Sequence, residues 1–341
     1  MGTRGSGPAA VTSAEGGTAG AGRARAGRFR PGRFRRGLLA AFVAAAVVVP
    51  LSAAARPAIP APAPASLPPL STATLAGTYA ANRADAAEAS AMAAAHGDRG
   101  RAAADRAMAS PARHLLAYDG RGTGRAVEVF GDPATARHIA VLVPGSDTTL
   151  DTYDRFRAGA SALHRATGAG TAVVAWLGYD TPRTISTTAL TAARADRAAP
   201  LLVRFVRELR GAWGTAPHIS LLCHSYGSVV CARAAAAADV QDIVLFGSPG
   251  TGVDSAAGLH TRARVWAARG ADDWIAEVPH TRVDLFGATV GFGTDPVSPA
   301  YGARVFAAGG GGHSDYFAPG SVSLANLARI VLGETAEVTR A

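Results

Sequence analysis

The amino-acid sequence predicts an α/β domain over residues 111–341, a mainly parallel sheet with helices on both faces. Two observations predict it. Beyond residue 111, short apolar runs alternate with longer amphipathic stretches, which is the order of strands and crossover helices in a parallel sheet. The runs are apolar at nearly every position, as strands buried on both faces require. A composition of 48% hydrophobic and 17% charged residues in 341 agrees, being too apolar for a disordered chain and long enough for a sizeable core.

Residues 115–118 and 126–130, joined across Asp119-Gly120-Arg121-Gly122, read as a hairpin that starts the sheet antiparallel. Residues 138–143 are a strand, 150–167 a helix and 171–176 the next strand. A long helical region follows, which Pro200 should interrupt before it resumes over 201–213. Strands over 218–222, 243–246 and 263–267 come next, with an Ala-rich helix over 228–237 after the first of them. A short strand at 305–308 and a helix over 321–332 finish the domain.

Three pieces precede it. Residues 1–55 are a basic leader followed by an apolar run over 38–51 and Ala53-Ala54-Ala55, the order of a secretory signal with cleavage after Ala55. Arg35-Arg36 also fits a twin-arginine signal loosely. Residues 38–55 are about the shortest stretch that can span a bilayer, so a retained membrane anchor competes with a cleaved signal. Either way the chain is expected in the cell envelope or outside the cell. Residues 56–70 are an Ala/Pro linker, which favours an extended and stiff spacer. Residues 71–110 are Ala-rich without Pro until the end, and predict a helical arm with a break near residues 97–100.

The formal charge of +9 suggests nucleic acid only until it is located. Residues 1–36 hold eight Arg against Glu15, about +7, which leaves about +2 on the other 305 residues. A basic balance confined to a leader argues for targeting, and no nucleic-acid partner is expected.

The strand over 218–222 runs into Cys223-His224-Ser225-Tyr226-Gly227-Ser228, and a helix follows at once. That is the context of a nucleophile elbow, in which a serine at strained backbone angles projects its hydroxyl above the sheet of an α/β-hydrolase fold. The usual pattern has Gly two residues before and two after the serine. Gly227 fits and Cys223 departs, though Cys is small enough for the space. Ser225 is the candidate nucleophile; a serine that merely caps the next helix is the alternative. His224 reads as structural.

A serine needs a base and an acid to orient it, and in this fold both follow the nucleophile on loops after strands. Of His260, His280 and His313, the last lies in the glycine-rich loop before the final helix and is the candidate base. The loop Arg269-Gly270-Ala271-Asp272-Asp273-Trp274 offers the acid, and a spacing of three after the glycine selects Asp273 over Asp272. Asp295 and Asp254 are weaker. The oxyanion donors are expected to be the backbone N–H groups of Tyr226 and Ser146, with Gly145 letting the backbone come close.

From about residue 94 to 333, some 70% of its length, the chain resembles an actinobacterial family of α/β-hydrolases whose biochemical function is unassigned. The motifs that carry it are Phe130-Gly131-Asp132, Val143-Pro144-Gly145, Trp176-Leu177-Gly178-Tyr179-Asp180, His224-Ser225-Tyr226-Gly227-Ser228 and Gly312-His313-Ser314-Asp315-Tyr316-Phe317. The resemblance implies the fold and a triad, and supplies no substrate. Tyr179 and Asp180, at the C-terminal edge of a strand, are expected either to line the pocket or to form a structural turn.

Cys223 and Cys231 are the two cysteines. A bridge is conceivable in an oxidising compartment. Eight residues across a strand-to-helix turn give no assurance of disulfide geometry, so two buried thiols are favoured. No metal-ligand spacing, phosphate-cradling motif or dinucleotide fingerprint is visible, and no cofactor is expected. The reading is an exported serine hydrolase taking a small-molecule or lipid ester, ahead of an amide. An envelope acyltransferase on the same residues and a non-catalytic envelope binding protein of the same fold are the rivals.

Overall fold

Strands β3 (His138–Val143), β4 (Thr171–Leu177), β5 (His218–His224), β6 (Asp242–Phe246) and β7 (Arg264–Ala268) form the centre of the protein, since each carries a run that needs shelter on both faces. The computed structural model describes residues 59–184, 191–214, 216–278, 280–281, 283–285 and 288–341. With β1 (Leu115–Asp119), β2 (Arg125–Phe130) and β10 (Arg304–Val305) these strands make an eight-stranded sheet in the order β1-β2-β4-β3-β5-β6-β7-β10. Strands β1 and β2 pair antiparallel, as do β2 and β4, and the remaining pairs are parallel. A separate antiparallel pair joins β8 (Val283–Leu285) to β9 (Ala288–Val290).

Alternate residues of the central strands enter two cores. Ile139, Val141 and Val143 pack with Leu202, Phe205 and Val229 on one face, whereas Ala140 and Leu142 pack with Leu163, Leu327 and Ile330 on the other. The chain folds into six helices among the described residues: α1 (Leu75–Ala95), α2 (Arg99–Met108), α3 (Tyr153–Thr167), α4 (Ala193–Trp213), α5 (Gly227–Ala234) and α6 (Val322–Leu332). Helices α4 and α5 cover the first face, and α3 and α6 the second. This is the α/β-hydrolase fold, with a mixed sheet.

The expected break at Pro200 does not occur, for α4 runs through it. The proline sits at an exposed position, while Ala195, Ala198, Leu202, Phe205, Val206 and Leu209 bury one continuous stripe on either side of it. Packing of that stripe outweighs a cost of about 3 kcal/mol for the lost bond and the ring clash. Two other elements are shorter than expected. The helix after the elbow ends at Ala234, and the last strand is Arg304–Val305. The first turn of the 150–167 helix is a 3-10 turn, Leu150–Thr152.

The arm is part of the domain's packing, since residues 58–341 form one unit. Helix α1 ends before Gly97, and Asp98 caps α2 by accepting from the N–H of Arg101. Arg101, 3% exposed, reaches into the domain to bond the carbonyls of Gly120 and Gly122 and the carboxylate of Asp151. Tyr118 donates to Asp105, and Asn82 to the carbonyl of Leu115. Residues 59–70 carry no helix or strand, and Ala61 packs against the second core, so this stretch of the Ala/Pro segment lies on the domain. Residues 1–55, where a leader with a signal or an anchor is expected, lie outside the described residues. No described helix is long and apolar enough to cross a membrane.

Candidate active site

The C-terminal edges of the parallel strands bring the candidate residues together, as expected where parallel strands end. After His224 the chain turns at Ser225 with φ +53°, a left-handed conformation that costs a non-glycine residue about 1–3 kcal/mol. The turn is held by the Ser225 N–H donating to the carbonyl of Phe246 at 3.0 Å. Two glycines make it fit. A Cβ on Gly227 would lie 2.5 Å from the carbonyl of Val143 and 2.8 Å from that of Pro144, and one on Gly145 would lie 2.6 Å from the Cβ of Ser225.

Cys223 and Cys231 are bonded, contrary to the expectation of two thiols. The reversal at Ser225 lays α5 back against the end of β5, which brings the two Cα atoms to 6.4 Å, within disulfide range. Both cysteines are fully buried, so the bond ties strand to helix across the elbow.

Strand β7 ends in the loop that carries Asp273. This residue is 2% exposed and begins the 3-10 turn Trp274–Glu277, where its Oδ1 accepts from the N–H of Ile275. The same oxygen lies 2.8 Å from Nδ1 of His313, and Oδ2 accepts from the hydroxyl of Tyr316 at 2.6 Å. Burial disfavours the charged carboxylate, but hydrogen bonds from His313, Tyr316 and Ile275 outweigh it and hold the group below its usual range. Asp272 is exposed. Gly247, at φ +56°, allows this pairing, since a Cβ there would lie 3.0 Å from Oδ2 of Asp273 and 3.2 Å from the ring of His313.

With Nδ1 of His313 engaged by the acid, Nε2 is the nitrogen left for a substrate-side proton. Ser225 and His313 line one cavity of about 880 Å³, together with Ser146, Phe156, Trp274 and Phe317. No hydrogen bond joins Ser225 to His313 among the described residues, and the backbone N–H groups of Ser146 and Tyr226 donate to no acceptor there. Those two N–H groups flank the serine, one on the residue after it and one on the loop that Gly145 brings against it.

Tyr179 and Asp180 fall outside the cavity lining. Tyr179 is buried and its hydroxyl donates to the carbonyl of Pro144 at 2.6 Å, which braces the loop carrying Gly145 and Ser146. Asp180 is exposed and pairs with Arg125. Asp295 pairs with Arg269, and His260 is an exposed turn residue. Among the described residues no group of three His, Cys, Asp or Glu is placed to hold a metal ion.

Two neighbours of the site, Tyr316 and Trp274, are given no role by the sequence, and His224, read there as structural, has a definite partner. Tyr316 stands in the Gly312–Phe317 motif, yet no spacing rule gives it a role. Trp274, 48% exposed, sets its ring 4.7 Å from that of His313. His224 does more than fill space: its Nε2 is 2.8 Å from the carbonyl of His313, and its ring stacks on Phe246. Burial, with repulsion from His313, pushes His224 down to about 3, so it is neutral at physiological pH and its Nε2–H donates to that carbonyl.

Parts of this chain are similar to known proteins. Residues 119–283 match a family model described as alpha/beta hydrolase. The uncharacterized protein Rv2079 of Mycobacterium tuberculosis is 31% identical over 263 residues, covering 64% of this chain and 39% of that protein. The uncharacterized protein Rv0963c of the same organism is 31% identical over 176 residues, covering 47% of this chain and 66% of that protein. This chain therefore spans well under half the length of the first of these relatives. Among solved structures, esterase PE8 overlays with a TM-score of 0.40 at 18% identity, over 61% of this chain and 97% of that one. A Xanthomonas campestris serine hydrolase without lid gives 0.41 at 16%, over 66% and 95%. Residues 119–283 are thus similar to the alpha/beta hydrolase family model, and the chain is similar in part to mycobacterial proteins that are themselves uncharacterized.

Proposed function

We infer that this chain is an exported serine hydrolase that cleaves a carboxylic ester through an acyl-enzyme on Ser225. One observation carries the reading: a serine held at φ +53° shares a cavity with a histidine whose Nδ1 is bonded to a buried carboxylate. In the proposed reaction the hydroxyl of Ser225 attacks the acyl carbon and its proton passes to Nε2 of His313. Asp273 keeps the other proton on Nδ1 and stabilises the imidazolium that forms. The negative charge on the former carbonyl oxygen is met by the N–H groups of Tyr226 and Ser146. The C–O bond to the alcohol then breaks, and the alcohol leaves with the proton from His313. Water, deprotonated by the same imidazole, adds to the acyl carbon and releases the acid and free Ser225.

The Cys223–Cys231 bond supports the exported part of the reading, since structural disulfides persist in oxidising compartments. The test is covalent labelling of folded protein by a fluorophosphonate, with turnover of simple esters. Ser225→Ala should abolish labelling and lower turnover at least about 10³-fold, and His313→Ala should do nearly the same because the members act as a unit. Asp273→Asn should lower turnover by orders of magnitude through the wrong imidazole tautomer, and Asp272→Asn far less. Full activity in Ser225→Ala would overturn the reading.

A further inference from the structure

The lining of the catalytic cavity divides by exposure. Its buried part is apolar, with Leu142, Leu222 and Phe246 enclosed and Phe156 and Phe317 half-buried. Gly159 of α3 lies there too, and the missing side chain lets the helix approach Phe317, since a Cβ would come within 2.9 Å of that ring. The charge lies in the exposed part, on Asp147, Arg155 and Arg183. Asp147 is engaged, accepting from the N–H of Thr184 at 3.1 and 3.2 Å. Arg155 is different. It stands in the first turn of α3 and makes no ion pair or hydrogen bond among the described residues, whereas Arg157 of the same helix pairs with Glu128 and Arg165 bonds Ser161.

A guanidinium left without a carboxylate on the wall of a reaction cavity is a docking group for an anionic oxygen group, which it can meet with two parallel N–H donors. The order of the parts follows from the chemistry. An acyl carbon at Ser225 with its chain in the buried apolar part points the departing alcohol toward the exposed part, where Arg155 lies. We propose that the substrate is an amphipathic ester, with an apolar acyl group held against Phe156 and Phe317 and an alcohol portion bearing a negative charge that pairs with Arg155. This rests on the hydrolase reading above for the reaction itself, though not for the binding.

The experiment compares the octanoate esters of para-hydroxybenzoate and para-hydroxybenzamide, which differ in charge at one end. The ratio of kcat/KM, anionic over neutral, should be about tenfold in the wild type, the size of a charge-assisted hydrogen bond. Arg155→Ala should bring that ratio near one and Arg155→Glu below one, while Arg165→Ala keeps it. Calorimetric binding of both esters to Ser225→Ala, with and without Arg155→Ala, should give the same pattern in Kd. A wild-type ratio of one, or a ratio that survives Arg155→Ala, overturns the proposal. Selective binding through Arg155 without turnover would sink the hydrolase reading and leave the anion site standing. Turnover of both esters at equal rates would do the reverse.

Discussion

The hydroxyl of Tyr316 donates to Oδ2 of Asp273 at 2.6 Å, on the carboxylate oxygen that His313 does not use. Tyr316 in turn accepts from the N–H of Gly270 at 3.0 Å, so the carboxylate is clamped to its own loop and to the histidine loop at once. Burial and the adjacent carboxylate raise the Tyr316 phenol well above its usual range, which keeps it a donor. Tyr316→Phe should lower kcat roughly tenfold with little change in KM, by leaving a buried carboxylate oxygen without its partner. It should also change acid stability. The lowered pKa of Asp273 contributes stability that is present above the unfolded value of about 3.9 and is lost as pH falls through the folded one. Part of that lowering comes from Tyr316, so the melting-temperature gap between variant and wild type should be wider at pH 7 than at pH 3.

His224 titrates with the opposite consequence for charge and the same direction in pH. Its folded value of about 3 lies far below the roughly 6.5 of an unfolded histidine. Between those values the unfolded chain binds a proton that the folded chain refuses, so stability falls as pH drops through the window and is unaffected above it. Gln does not titrate, and its amide can still donate to the carbonyl of His313. A plot of melting temperature against pH for His224→Gln should therefore be flatter between pH 6.5 and 4 than for the wild type. Equal slopes would show that some other group governs the acid response.

Both results bear on what a sequence can reveal. Strands β3 to β7 were legible because burial on both faces demands runs of apolar residues, and no other element needs them. The elbow was legible because Gly227 must follow Ser225 by two where helix and strand nearly touch. Asp273 could be told from Asp272 by its distance from Gly270, and it is the aspartate of the two that the structure buries beside His313. Tyr316 and His224 left no such mark, because no spacing rule ties either of them to its partner. Tyr316 meets Asp273 across 43 positions and His224 meets His313 across 89. Pro200 misled because local propensity spoke for a break, whereas the stripe it interrupts is held by the sheet.

The disulfide was missed for a related reason, since its geometry depends on a turn angle that spacing does not report. It should matter to stability. By loop-closure entropy, a crosslink over eight residues contributes about 2.5 kcal/mol. The Cys223→Ala, Cys231→Ala double variant should melt roughly 5–10 °C lower. Protein denatured without reductant should titrate no thiol, and after reduction both; free thiols before reduction would remove the bond and with it the support for an oxidising compartment.

Gly145 and Gly211 set up the last comparison, between a glycine that the site needs and one that it does not. A Cβ on Gly145 would lie 2.6 Å from the Cβ of Ser225 and 3.1 Å from the carbonyl of His224, both fixed by the elbow. Neither neighbour can yield without moving the nucleophile, so the loop itself must back away and take the N–H of Ser146 with it. In the proposed reaction that N–H is one of two donors to the oxyanion, and loss of one such donor lowers kcat about 10²–10³-fold. Gly145→Ala should show a loss of that order with KM nearly constant, because the donor acts on charge that exists only in the transition state. Gly211 lies on the exposed side of α4 with nothing within 4 Å of a built Cβ. Gly211→Ala should stabilise the protein by about 0.5–1 kcal/mol through helix propensity, with turnover unchanged. Measuring both variants by melting and by steady-state kinetics separates the two effects. A Gly145→Ala enzyme that keeps wild-type kcat would move the second oxyanion donor away from Ser146.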